Sequence, residues 1–116
     1  MITIYVHKSP ETLSLRVTAD GHANTAPHGQ DTVCAAVSVL IYGFAEEVHR
    51  LDPKHIQGGM IETGQREGHA NILIQCADER TYRRVLYNLA PIERSLEKLA
   101  EQFPEAVTLK NTSLSP

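Results

Sequence analysis

The residues able to do chemistry in this 116-residue chain are concentrated between positions 21 and 38, where a cysteine follows a histidine after a short loop. Cys34 lies three residues after Asp31, a good N-cap residue, so the thiol falls in the first turn of a predicted helix. Unpaired backbone N–H groups and the positive end of the helix dipole stabilise an anion there. Paired with the imidazole of His22, a thiolate is a nucleophile with a general acid beside it. The pattern predicts a catalytic cysteine activated by His22.

Small residues surround the predicted nucleophile and leave room for a substrate backbone. We expect the first-turn N–H groups of Cys34 and Ala35 to donate to the oxyanion of a tetrahedral intermediate. Ser38 lies one turn below Cys34 on the same face, where it would line the pocket. The predicted pocket and loop residues are Gly21, Ala23, Gly29, Ala35 and Ser38.

Each of these residues taken alone also has an ordinary structural explanation. A cysteine in Val-Cys-Ala-Ala-Val is typical of a small buried side chain, and His22 alone is typical of a loop histidine. If Cys34 is merely buried, the alternative is a non-catalytic module that binds a partner through the loop. A third hypothesis is a redox sensor in which Cys34 acts with Cys76. Asp31 either orients His22 or only caps the helix, and the sequence leaves both roles open.

The hydrophobic pattern around this segment predicts an α+β domain. Period-two alternation indicates strands, and apolar residues at helical spacing indicate two helices. We expect the order ββαββα, with a mostly antiparallel sheet and both helices packed on one face. A single domain would span residues 1–110, with 111–116 as a flexible tail. The predicted elements are strands over 2–8 and 13–20, a helix over 31–51, a strand pair over 55–76, a helix from Asp78 that is kinked or broken at Pro91, and a candidate terminal strand over 106–110.

Length, composition and charge restrict the class of protein and the ligands that we expect. The chain is 41% hydrophobic and 22% charged, which fits one globular domain. Its net charge is -3 and its longest basic run is Arg83-Arg84, so we expect no direct nucleic-acid ligand. No signal-peptide pattern begins the sequence, and the apolar run 33–42 is half of the roughly 20 residues that a membrane helix needs. We therefore expect a cytoplasmic protein with free thiols and no membrane partner, and the His and Cys spacings predict no metal or other cofactor.

The segment Gly21-His22-Ala23, followed by Gly29-x-Asp31-x-Val33-Cys34-Ala35-Ala36-Val37-Ser38, closely resembles the signature of the Prp family of ribosomal-processing cysteine proteases. The resemblance is dense over residues 21–40, and the predicted element order matches the family over most of the chain. It implies a His22 and Cys34 dyad in a small α+β domain that pairs as a homodimer. The implied substrate is a short N-terminal extension, hydrophobic and containing phenylalanine, of a large-subunit ribosomal protein. The loop between the dyad members would fold over that peptide.

Two departures from the family pattern affect the expected substrate. Asn24-Thr25 stand where the family usually has a glycine and an aromatic residue, which predicts a different lid or specificity pocket, and His28 adds a second imidazole to the loop. A phage-associated relative that trims a scaffold or capsid protein is therefore an alternative. The tetrapeptide Gly-His-Ala-Asn recurs at 68–71, where it enters a predicted strand. We expect His69 to be a turn-edge side chain there, not part of a second site.

Overall fold

A computed structural model describes residues 1–21, 31–51, 54–61 and 69–113, with the backbone alone described at 57–61 and 112–113. These described residues form five strands and two helices in the order ββαββαβ. Their bounds are β1 (Ile2–Ser9), β2 (Ser14–Asp20), α1 (Thr32–Leu51), β3 (Ile56–Ile61), β4 (His69–Cys76), α2 (Glu79–Gln102) and β5 (Val107–Ser113).

The five strands form one sheet in the order β3-β4-β2-β1-β5. The predicted α+β class and both predicted strand pairs are confirmed, because β1 pairs with β2 and β3 pairs with β4, each in antiparallel fashion. The sheet is mixed, however, since β5 pairs in parallel with β1. The long helix α2 crosses over the sheet before β5, so the chain enters β5 in the same direction as β1. β5 continues to Ser113, and residues 111–113 are therefore part of the sheet instead of the predicted tail.

One face of the sheet carries the core, and strict alternation along the strands decides which face. Ile2, Ile4 and Val6 of β1 are buried, whereas Tyr5 between them is exposed on the opposite face. The same alternation places the inward side chains of β2 and β4 in this core, where both helices cover them. The buried strand residues beyond β1 are Leu15, Val17, Ala19, Ile72, Ile74, Cys76 and Val107.

α1 packs on the sheet through one apolar stripe. Apart from the adjacent pair Phe44 and Ala45, its buried residues recur every three or four positions, the spacing of a single helix face. Among the described residues, α1 is also long and apolar enough by length and composition to cross a membrane. In this fold its apolar stripe is used for packing instead. The buried residues are Val33, Val37, Ile41, Phe44, Ala45 and Val48.

α2 runs without interruption through Pro91, which the sequence left as a kink or a break. The proline removes one backbone N–H, whose acceptor would be the carbonyl of Tyr87. Tyr87 is 83% exposed, so water can reach that part of the helix. The helix is capped by Asp78, whose side chain accepts the backbone N–H of Thr81 at 2.8 Å. On the core side, buried Glu93 pairs with Lys8 of β1 at 2.7 Å and fixes α2 to the sheet.

Candidate active site

Asp31 organises the first turn of α1. Its Oδ1 accepts the backbone N–H groups of Val33 and Cys34, each at 3.0 Å. Its backbone carbonyl accepts the N–H of Ala35 at 3.1 Å. This is the geometry of an N-cap, whose side chain reaches the second and third helical residues. The spacing Asp-x-x-Cys therefore fixes Cys34 at the third position of the helix.

The same hydrogen bonds correct the predicted oxyanion hole. The N–H of Cys34 already donates to the Asp31 side chain, and the N–H of Ala35 donates to the Asp31 carbonyl. A cap satisfies the donors at a helix start, so it competes with any substrate oxygen for them. In this conformation neither predicted donor is available. The sequence contained a signal for this, because an N-cap aspartate three residues before a cysteine accepts the N–H of that cysteine.

Cys34 is half-buried at the edge of the core. Ser38, four residues on, lies on the same flank of α1 and is exposed. Ala35 is also exposed, but it is turned by about 100° from Cys34 around the helix axis. It faces a groove between α1 and α2 instead of the flank that carries the sulfur.

This α1–α2 groove is an open depression of about 620 Å³ on the outer surface of the helix layer. It begins at Thr32, the first residue of α1, and extends for about two turns along that helix. No feature of the sequence pointed to it, because it depends on how two distant helices pack. Its lining residues are Thr32, Ala35, Ala36, Val39, Leu40, Ser95, Lys98, Leu99 and Gln102.

Three of the predicted site residues, His22, Ala23 and Gly29, lie outside the described residues. Gly21 is described, and it has a clear structural task. Its φ is +105°, a conformation that favours glycine, and a Cβ at this position would clash with the carbonyl oxygen of Met1. Gly21 therefore allows the chain to leave β2 close to the N-terminus and enter the segment that contains His22.

Sequence reasoning missed a contact next to this exit. His69 is opposite Asp20 in the β2–β4 register, and its Nδ1 contacts Asp20 Oδ1 across the strands. The predicted turn-edge histidine is therefore an ordered side chain at the first position of β4. The pair ties β4 to the last residue of β2, two residues before His22.

Cys76, the second thiol, is in a different environment. It is 3% exposed at the end of β4, and no disulfide joins it to Cys34. Burial raises the pKa of the Cys76 thiol above its ordinary value, and the nearby Asp78 carboxylate adds to the shift. A buried thiol with a raised pKa is a poor nucleophile.

A half-buried cysteine in the capped first turn of a helix, within a small α+β domain, is compatible with a cysteine nucleophile. A family model described as "Cysteine protease Prp" matches residues 1–108. The chain therefore belongs to the Prp family of cysteine proteases.

Individual relatives agree with this assignment. The ribosomal processing cysteine protease Prp of Bacillus subtilis is 40% identical over 48 residues, which cover 41% of this chain and 43% of that protein. The match thus spans less than half the length of the curated relative. Two crystal structures of the ribosomal processing protease Prp from S. aureus, both covering 97% of this chain and 100% of theirs, share the fold. The structure with a covalently linked product peptide matches with a TM-score of 0.76 at 24% sequence identity. The structure with a substrate peptide matches with a TM-score of 0.70 at 23% sequence identity.

Proposed function

We propose that this chain is a cysteine endopeptidase in which Cys34 is the nucleophile and His22 its partner. The observation that carries the proposal is the half-buried cysteine in the first turn of α1, in a chain of the Prp family. Of the two cysteines, Cys34 is the more accessible, since Cys76 is buried at the end of β4. The dyad residue His22 follows Gly21, at the exit from β2.

The proposed reaction proceeds through a thioester. The Cys34 thiolate attacks the carbonyl carbon of the scissile peptide bond and forms a tetrahedral intermediate. The C–N bond then breaks, and the protonated imidazole of His22 gives its proton to the leaving amine. Water, deprotonated by the same imidazole, attacks the thioester and releases the acid product together with the Cys34 thiolate.

Asp31 has a defined positioning role in this proposal. Its carboxylate holds the N–H groups of Val33 and Cys34, so it fixes the backbone from which the sulfur projects. The N–H groups of Cys34 and Ala35 already donate to Asp31, which leaves two ways to stabilise the oxyanion. Either other groups donate to it, or a substrate oxygen displaces Asp31 as the acceptor of one of these two N–H groups.

As substrate we propose a short hydrophobic, phenylalanine-containing N-terminal extension of a large-subunit ribosomal protein. The name of the B. subtilis relative, a ribosomal processing protease, supports this choice. The S. aureus relative, crystallised with a substrate peptide, supports a protein substrate. We further propose that the enzyme acts in the cytoplasm, in ribosome biogenesis, and as a homodimer.

Cleavage of a peptide that spans such an extension tests the proposal. The wild-type protein and the matched control Cys76→Ala should both cleave it, whereas Cys34→Ala and His22→Ala should not. Mass spectrometry identifies the cut position, and circular dichroism verifies that each variant is folded. Cleavage by Cys34→Ala at the wild-type rate would refute the assigned nucleophile.

A comparison of protein N-termini in cells that carry active or Cys34→Ala enzyme tests the substrate. Retention of an extension on a large-subunit ribosomal protein, in cells with the inactive enzyme only, is the expected result. A change confined to phage scaffold or capsid proteins would support the phage-associated alternative instead.

A further inference from the structure

We infer that Asp20 and His69 form a positioning pair for the proposed reaction, which holds the end of β2 so that His22 stays within reach of Cys34. This inference rests on the proposed function, because it assigns a support to the histidine of the same dyad. Neither Asp20 nor His69 takes part in the chemistry itself. Both act through the backbone that leads to His22.

The pair is the last cross-strand contact before the segment that contains His22. Asp20 is the last residue of β2, His69 is the first residue of β4, and the two are opposite each other in the strand register. The Nδ1 of His69 contacts Oδ1 of Asp20. Because a carboxylate only accepts, the ring donates its Nδ1–H. The ends of strands open more readily than their centres, and a side-chain hydrogen bond at the last residue pair opposes that opening.

Covalent geometry limits the distance between this pair and His22. Two peptide units separate Asp20 from His22, so their Cα atoms are at most about 7.6 Å apart. Gly21, between them, has a φ of +105° and packs so closely against Met1 that a Cβ would clash with the Met1 carbonyl oxygen. The exit from β2 is thus held on both sides, and a displacement of Asp20 would be passed on to His22.

Cys34 lies at the same end of the sheet as the pair. β2 and β3 both pair with β4 in antiparallel fashion, so they run in the same direction and begin at the same end. Four residues connect α1 to β3, which places the last turn of α1 at that end. α1 has 20 residues and spans about 30 Å, so its first turn, with Cys34, lies at the opposite end, where β2 stops at Asp20.

The two side chains are on the face of the sheet that the helices leave uncovered. Val17 and Ala19 of β2 point into the core, so Asp20 projects from the opposite face, together with His69. The side chain of Asp20 is 55% exposed and that of His69 28%. A contact this exposed adds little to the stability of the whole fold. Its main effect is local, on the backbone at the end of β2.

The same two strands provide a matched control. The Nε of Arg16 donates to Oδ1 of Asn71 at 3.3 Å, a second contact between β2 and β4 on the uncovered face. Asn71 is two residues further along β4 than His69, so this contact is more distant from the exit of β2. Asn71→Ala therefore removes a polar contact between the strands and leaves the last residue pair intact.

The experiment measures peptide cleavage and the rate of Cys34 alkylation by iodoacetamide in His69→Ala, Asn71→Ala, His22→Ala and the double variant His22→Ala/His69→Ala. Circular dichroism verifies that each variant is folded. His69→Ala should lower kcat about tenfold and keep KM within about twofold, since a misplaced catalytic group slows the reaction more than it weakens binding. Asn71→Ala should keep both constants within about twofold of wild type.

The alkylation rates form a double-mutant cycle. His69→Ala should slow the alkylation of Cys34 when His22 is present and leave it unchanged in the His22→Ala background, where no imidazole remains to be positioned. Asp20→Asn keeps an acceptor for the Nδ1–H of His69, so it should retain most of the kcat that Asp20→Ala loses.

The outcomes separate this inference from the proposed dyad. An equal slowing of alkylation by His69→Ala in both backgrounds would overturn the inference alone, because the effect would not pass through His22. Equal kcat losses in His69→Ala and Asn71→Ala would also overturn it, since a general loosening of the sheet would explain both. If His22→Ala changes neither cleavage nor alkylation, the dyad is wrong and the inference fails with it.

Discussion

The two helices in the described part of this protein begin in closely similar ways, yet they place their neighbouring cysteines in different environments. Asp31 and Asp78 both accept a backbone N–H from the residue three positions on, at 3.0 and 2.8 Å. Each cap also has a cysteine nearby in the sequence. Cys34 lies three residues after its cap, inside the helix, whereas Cys76 lies two residues before its cap, at the end of a strand.

The difference shows that a helix start does not by itself make a nucleophile. Cys34 is half-buried at the N-terminal turn, where helix N–H groups point toward bound anions. Cys76 belongs to the inward face of β4, where burial and the Asp78 carboxylate raise its pKa. Cys76 is in this environment because it occupies an inward-facing position in the alternating pattern of β4.

The largest expected effect comes from removing one thiol at a time. Cys34→Ser should lower kcat/KM for peptide cleavage by roughly three to six orders of magnitude, as loss of a nucleophile does. Cys76→Ala should keep kcat/KM within about twofold and reduce the free energy of unfolding by about 1 kcal/mol, because it leaves a small cavity. Cleavage assays and urea denaturation measure the two quantities. Equal activity losses in both variants would remove the distinction between the thiols.

Alkylation of the native protein sharpens the comparison. Iodoacetamide at neutral pH should modify Cys34 in the folded chain, because this thiol is partly accessible. Cys76 should react only at alkaline pH or in denaturant, since it is buried and its pKa is raised. Mass spectrometry of peptides after timed labelling measures both rates, and a His22→Ala variant shows how much of the Cys34 rate depends on the imidazole. Modification of Cys34 only after unfolding would favour a non-catalytic binding module.

The smallest effect concerns the two caps. Asp31→Ala should cost about 1 kcal/mol of folding stability, because the N–H groups of Val33 and Cys34 lose their acceptor. It should also lower kcat, since the catalytic turn is no longer held. Asp78→Ala, the matched control at α2, should destabilise the fold without changing kcat. Equal kcat losses in the two variants would show that the Asp31 effect is general destabilisation.

The Asp78 cap also predicts a dependence of stability on pH. Hydrogen bonds from the backbone N–H and side chain of Thr81 lower the pKa of the Asp78 carboxyl below its usual 3.8. Between the lowered pKa and pH 3.8, the folded state therefore binds fewer protons than the unfolded state. The stabilisation is complete above pH 3.8 and is lost as the pH falls through the lowered value. The stability difference between wild type and Asp78→Ala should shrink over this acid range in denaturation curves.

Local patterns in the sequence determined much of this protein. Alternation identified the strands of both antiparallel pairs, and the spacing of apolar residues identified both helices, because these periods are set by backbone geometry. The segment from Asp31 to Ser38 identified the N-cap and first turn of α1, since an N-cap and the residues it serves are close in sequence.

Features that join distant segments were decided only by the tertiary structure. The parallel pairing of β5 with β1 depends on the path of α2 over the sheet, and the Asp20–His69 contact depends on strand register. The α1–α2 groove exists only after residues more than 50 positions apart have packed together. The engagement of the Cys34 and Ala35 N–H groups by Asp31 corrected the oxyanion prediction, because the sequence placed these donors without showing which acceptor they use.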